Sequence, residues 1–224
     1  MSNPTVDPVL RVVGLRTYFY TFAGIVKAVD GVSLQVNQGE MVGLVGESGS
    51  GKTVTAQSIM RIIPSPGKIV DGRIEFEGKD LLQMKESEMQ KIRGKDIAYI
   101  PQDPTTTLDP VYSVGDQLAE VIMKHQKLSK RDALAKASRL LEAVEIPDPG
   151  VRINQYPHEL SGGTKQRVAI ARALSCEPAS SASPDTLGSE GGIVRGPVFP
   201  RTRARCGLHA AQSDVARRNV SPHR

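Results

Sequence analysis

The stretch Gly46-Glu47-Ser48-Gly49-Ser50-Gly51-Lys52-Thr53 constrains this chain more than any other. It fits G-x-x-x-x-G-K-[ST], the pattern of a loop that cradles phosphate groups. Its glycines let successive backbone N–H groups turn toward one anion, and the following helix start adds unpaired donors and partial positive charge. In such a loop Lys52 reaches the β- and γ-phosphates of a nucleotide and the Thr53 hydroxyl ligates Mg²⁺. The flanks agree. Residues 41–45 form a short apolar run that reads as a buried parallel strand, and 54–63 carry apolar residues at helical spacing. Strand, glycine loop and helix together predict an α/β fold.

A chain of 224 residues has enough length for one sizeable core with room for a subdomain. No apolar run approaches the roughly 20 residues of a membrane helix. The amino end shows no basic region leading into an apolar stretch, so no secretory signal is expected. Cys176 and Cys206 make no metal or redox motif and are expected as reduced thiols in the cytosol. The charge of +5 is unevenly spread: residues 1–178 hold 22 Lys and Arg against 21 Asp and Glu, while 179–224 hold seven Arg against three acids. The basicity therefore belongs to the last segment, and no nucleic-acid partner is expected.

Residues 10–13, 31–36 and 72–76 alternate as strands do. Between the first two lies Leu15-Arg16-Thr17-Tyr18-Phe19-Tyr20, an aromatic cluster that suits either adenine stacking or strand-edge packing. Ser87 with Gln90 predicts the capped start of a short helix that Gly94 ends. Residues 97–100 read as a buried strand. Gln102 follows in the polar loop at its carboxyl end, where α/β sheets place ligand groups, and is either a Mg²⁺ or water contact or an ordinary loop residue. Residues 114–144 carry two amphipathic helices, the second opened by Ser129 and Asp132.

A second informative stretch runs Tyr156-Pro157-His158-Glu159-Leu160-Ser161-Gly162-Gly163-Thr164-Lys165-Gln166-Arg167. Ser161 suits an N-cap, Gly162 and Gly163 leave backbone donors uncovered, and 164–174 continue as a helix. The residues themselves fit an anion-binding helix start or a simple capped helix equally.

Leu-Ser-Gly-Gly at 160–163 with Gln166-Arg167, preceded by the phosphate loop at 46–53 and by Gln102, resembles the ATP-binding subunits of ABC transporters. Gly-Glu-Ser-Gly-Ser-Gly-Lys-Thr, Pro-Gln-Asp-Pro at 101–104 and Tyr-Pro-His-Glu at 156–159 resemble the oligopeptide/dipeptide permease branch, over about residues 8–178. The resemblance implies a RecA-like P-loop core, an antiparallel β-subdomain and a helical subdomain near 105–160. It also implies ATP and Mg²⁺ as cofactors, and a peptide importer on the cytoplasmic face of the membrane. Two subunits stack head to tail in that family, so ATP lies between 46–53 of one and Ser161, Gly162 and Gly163 of the other, and integral membrane permease subunits are further partners. Phe19 then matches the adenine-stacking aromatic, with Tyr18 as alternative, and Gln102 the residue that contacts Mg²⁺ and couples to the membrane subunits. Thr164 is a mild departure from the family pattern.

The larger departure follows Pro178. The family continues with an apolar strand ending in Asp-Glu and later a strand ending in a catalytic His; residues 179–224 contain no four-residue apolar run followed by Asp-Glu, and His209 follows Gly207-Leu208. The fold is thus expected to be incomplete at its carboxyl end, with an exposed edge beside the phosphate-loop strand and little hydrolysis. The Ser-, Gly-, Pro- and Arg-rich segment 179–224 reads as a disordered tail, produced by a reading-frame shift or by divergence. Two rival readings remain: a non-catalytic module that docks on permease subunits, and a non-transport ABC protein acting on nucleic acid.

Overall fold

A computed structural model describes residues 8–103 and 107–176, and the backbone alone of 180–195. A long hairpin supplies the first layer: β1 (Leu10–Thr21) pairs antiparallel with β2 (Gly24–Val36), from Leu10 against Val36 to Thr21 against Gly24. β4 (Gly67–Phe76) lies on the other side of β1, and β5 (Lys79–Asp80) completes the order β2-β1-β4-β5. Both hairpin strands run longer than their alternation suggested, and the aromatic cluster belongs to β1 itself. The register shifts after Val12 and again at Leu15 and Thr17. Gly14 sits at φ +57° in the first bulge, its amide donating to Ser33 Oγ at 2.9 Å. Each bulge resets which side chain faces inward, so strict period-two alternation disappears from the sequence.

A second sheet has the order β3-β7-β6, built from β3 (Met41–Gly43), β6 (Ile97–Tyr99) and β7 (Ser180–Arg195). Here the structure differs from the sequence reading twice. β3 is not a strand buried on both faces: Val42 and Leu44 pack on the core, but Met41 is 62% and Val45 74% exposed. Nor does the edge beside it stay open. The backbone of Gly192–Val194 pairs antiparallel with β3, and that of Ser180–Ala182 pairs parallel with β6. The N–H and C=O groups of β3 and β6 need partners, and ladder pairing draws on backbone groups that every segment except proline supplies. Residues 196–224, with Cys206 and His209, lie outside the described residues.

The helices follow from caps and apolar stripes. α1 (Lys52–Ile59) starts two residues before its apolar pattern and ends before Ile63, the backbone turning left-handed at Arg61, φ +52°. Arg93 Nε donates to Met60 O at 2.7 Å and Arg93 Nη2 to Arg61 O at 3.2 Å, satisfying carbonyls left without a helical donor. α2 (Glu86–Ile92) is capped by Lys85 rather than Ser87, the Lys85 amide donating to the Glu88 carboxylate at 2.9 Å. Serine caps open α3 (Val114–Gln126) and α4 (Lys130–Ala143), where Ser113 and Ser129 Oγ accept from the amides of Asp116 and Asp132. α5 (Pro149–Arg152), a 3-10 turn over Pro157–Glu159, and α6 (Gly162–Leu174) complete the described helices.

Apolar burial divides into two clusters. One joins the antiparallel sheet to α1, α2 and β6 through Val12, Leu15, Ile59, Ile74 and Met89. The other joins α3, α4 and α6 through Leu118, Ile122, Ala137, Leu141 and Val168. The helical unit thus includes α6, beyond the boundary near residue 160 expected from the sequence. Leu118 is fully buried, so Leu118→Ala should lower the unfolding free energy by about 2–5 kcal/mol in chemical denaturation.

Candidate functional site

The backbone between β3 and α1 folds around the Lys52 ammonium. Lys52 Nζ donates to Gly46 O at 2.5 Å, to Glu47 O at 2.9 Å and to Ser50 Oγ at 3.4 Å. Gly49 and Gly51 hold φ of +81° and +89°, a region L side chains rarely enter. Gly51 also approaches β2 so closely that a Cβ there would lie 2.2 Å from the Ala28 carbonyl oxygen. A Cβ on Gly46 would lie 2.7 Å from Ser50 Oγ. Every glycine of the pattern therefore answers a specific demand of conformation or space.

α1 opens at Lys52 with no side-chain cap and no acidic residue in its first turn. Its first amides and partial positive charge are left to the loop, and Thr53 occupies that same first turn, half-buried. Glu47, Ser48, Gly49 and Ser50 are exposed, so the cradle faces solvent. Its donor set fits a polyphosphate: a bound cation, uncapped helix amides and side-chain-free glycines. A metal fits less independently. Among the described residues no group of three or more His, Cys, Asp or Glu converges, so Mg²⁺ here fits as an ion carried by phosphates and touched by Thr53, not as one held in a protein cage.

The second sequence-expected site lies on the other cluster. Ser161 Oγ accepts from the Thr164 amide at 3.3 Å and lies 2.8 Å from Thr164 Oγ1, so both functions of Ser161, cap and polar surface, are present. Ser161, Gly162 and Gly163 are exposed, and a Cβ on either glycine would meet nothing within 4 Å. The chain's own packing gives no reason for glycine there. Arg167 Nη1, donating to Glu145 O at 2.7 Å and Val144 O at 3.3 Å, fixes α6 to the end of α4. Among the described residues no hydrogen bond joins 46–53 to 161–163 within one chain.

Gln102 is exposed in the segment after β6. Pro104 lies outside the described residues, and beyond it Arg172 Nη1 donates to Thr107 O at 2.7 Å, which ties that segment to α6. Gln117 was not singled out in the sequence, yet it is buried and its side-chain amide bonds the Asp109 amide, Asp109 O and Tyr112 O at 2.9–3.0 Å. It fixes a loop on which Val111 and Tyr112 are 69% and 56% exposed, beside a groove of about 1000 Å³ lined by Asp109, Tyr112, Glu120, Met123, Lys130 and Arg172. No motif betrays such a residue, because one of two glutamines on an amphipathic helix carries no spacing signal.

The two aromatic candidates separate. Phe19 packs toward Gly67 and Ile63, where a Cβ on Gly67 would lie 2.7 Å from Phe19 Cε1 and 2.5 Å from Ile63 Cγ2. Ile63 follows α1, whereas Lys52 opens it. Tyr18 takes the opposite face of β1, its hydroxyl donating to Asp30 Oδ1 at 2.8 Å. That bond raises the phenol above its ordinary range and holds Asp30 below the usual carboxylate range.

A family model described as ABC transporter matches residues 29–180. The chain is similar to the dipeptide transport ATP-binding protein DppD of Bacillus subtilis, 50% identical over 173 residues that make up 77% of this chain and 52% of that one. It is similar to the oligopeptide transport ATP-binding protein OppD of the same organism, 51% identical over 77% of this chain and 49% of that one. The chain spans about half the length of the curated relatives it matches. Among solved structures, the dimeric bacterial ABC transporter cassette MJ0796 superposes with a TM-score of 0.70 at 25% identity, covering 80% of this chain and 76% of that one.

Gly51→Ala should lower nucleotide affinity about tenfold or more, measured by equilibrium dialysis, because a left-handed alanine at φ +89° must move off Ala28 O and carry the loop with it.

Proposed function

The chain belongs to the ABC transporter family, and from that premise we propose that it is the ATP-binding subunit of an importer for oligopeptide- or dipeptide-type substrates. The observation that carries the reading is the Lys52-centred loop at the uncapped start of α1, matched by a second exposed, glycine-opened helix start at Ser161–Gly163. The names of the similar proteins supply the solute class.

In this reading the amides of Gly46, Glu47, Ser48, Gly49, Ser50 and Gly51 hold the phosphates. Lys52 balances their charge, and Thr53 with Gln102 contacts Mg²⁺, whose role is to neutralise charge on the transferring phosphoryl group. Phe19 is the proposed adenine contact. Its packing on Gly67 means it serves by turning its exposed edge, or leaves the role to Tyr18. Ser161, Gly162 and Gly163 meet the γ-phosphate held by a second, head-to-tail subunit, which accounts for glycines that their own chain does not require. The loop bearing Val111 and Tyr112, with its groove, is the face offered to membrane permease subunits. Among the described residues no helix is long and apolar enough to cross a membrane, which suits a peripheral subunit at the cytoplasmic face.

Hydrolysis is proposed to be slow. Residues 179–224 offer no apolar run followed by Asp-Glu, so no carboxylate pair is in place to orient the attacking water or anchor the metal. Phosphate release from Mg-ATP should stay near the uncatalysed background, and turnover that Lys52→Ala abolishes would contradict this.

Gly163→Glu tests the two-subunit site. A Cβ at that position meets nothing within 4 Å, and an acid in the first turn of α6 favours the helix. The variant should therefore melt like the parent, yet lose Mg-ATP-dependent dimerisation about tenfold or more in sedimentation velocity, through repulsion of the γ-phosphate. Unchanged dimerisation would remove 161–163 from the site.

A further inference from the structure

The β1–β2 hairpin ends in a strip of side chains that runs out past Tyr18, the alternative adenine contact. Every residue of 20–27 is exposed, and Phe22 at the apex stands wholly clear of the fold at 115% relative exposure. The two-residue turn is held by Thr21 Oγ1 donating to Gly24 O at 2.8 Å, with Gly24 at φ +126°. Residues directly opposite in an antiparallel pair share a face. Tyr20 pairs with Ile25 and Tyr18 with both Lys27 and Lys68, so Tyr18, Tyr20, Ile25, Lys27 and Lys68 line one face behind Phe22. Lys27 Nζ lies 5.5 Å from the Tyr18 ring centre and Lys68 Nζ 5.8 Å from that of Tyr20.

The charge on this face changes along its length. Toward the base, Arg16 is answered by Asp30 at 3.2 Å and Asp71 at 2.7 Å. Toward the tip, neither 18–27 nor 67–70 contains an acidic residue, and the charges are Lys27 and Lys68, the former also reaching back to Asp30 at 3.7 Å. An apex phenylalanine, rings behind it and lysines flanking the rings are the chemistry of the boundary between anionic headgroups and acyl chains.

We propose that this hairpin is a lipid contact, laying Phe22, Tyr20 and Ile25 into the interface of an anionic bilayer with Lys27 and Lys68 at the phosphates. The inference does not rest on the transporter reading. A convex tip whose apex Phe22 is fully exposed suits a deformable lipid surface better than a protein groove. Orienting the chain on the bilayer is the role such a contact would serve.

Flotation of the full chain with phosphatidylcholine vesicles, alone or containing about 30% phosphatidylglycerol, tests this. The chain should partition onto the anionic vesicles in preference to the neutral ones. Phe22→Ser should weaken that partition about tenfold, and Lys27→Glu with Lys68→Glu should abolish the preference. Nucleotide binding by Phe22→Ser should match the parent, which separates this proposal from the fate of the nucleotide site. Anionic partition unchanged in both variants would assign it to the arginines beyond residue 194 and overturn the proposal. Absence of partition would overturn it too, leaving a protein as the occupant of the tip.

Discussion

The contact on which the arrangement depends is the seat of Gly51 against the Ala28 carbonyl. It joins a loop that must stay free of side chains to a β-strand of a different sheet, through backbone alone. Around it, Thr17 Oγ1 lies 2.8 Å from Ser58 Oγ, which itself donates to Val54 O at 2.6 Å. These polar contacts fix the azimuth of α1 on β1, while Leu15, Ile59 and Ile74 supply the burial. The loop is therefore shaped from two directions, by the sheet beneath Gly51 and by the helix that opens at Lys52. Its charge is internal to the fold, because Lys52 is held by the loop's own carbonyls. With its three partners Gly46 O, Glu47 O and Ser50 Oγ, the ammonium would have to be released from the loop for an anion to take it over.

The second half of the molecule is built on different terms. α3, α4 and α6 form their own apolar cluster. Within it Arg172 grips Thr107 O and Gln126 Nε2 donates to Ser175 O at 3.2 Å, while toward the first cluster a Cβ on Gly94 would lie 3.3 Å from His125 Nε2. The segment containing Gln102 leads from β6 to the helical unit, so it lies where the two clusters meet. Gln117 adds rigidity to the outer loop at the cost of burying an amide, an arrangement favourable only because both its oxygen and its nitrogen are satisfied.

What the sequence disclosed depended on whether a feature was local. The glycine loop before α1 and the serine caps of α4 and α6 were legible because their logic lies within a few consecutive residues. The extent of β1 was hidden by bulges at Gly14 and Thr17 that break the alternation. The cap of α2 was misplaced because the decisive bond is donated to Glu88 by the backbone amide of Lys85, whose own side chain gives no signal. The exposure of Met41 and Val45 and the pairing of 180–195 depend on neighbouring strands and could not be read from the apolar run of 41–45. Ala28 was invisible for the same reason, since only its carbonyl acts.

The central claim is that Lys52 and the loop around it bind nucleotide. Isothermal titration of the full chain with ATP and Mg²⁺, repeated on Lys52→Ala, measures it most directly. The account predicts saturable binding by the parent, weakened about a hundredfold in the variant through loss of a charge-assisted contact. Absence of binding by the parent, or equal affinity in the variant, would contradict it.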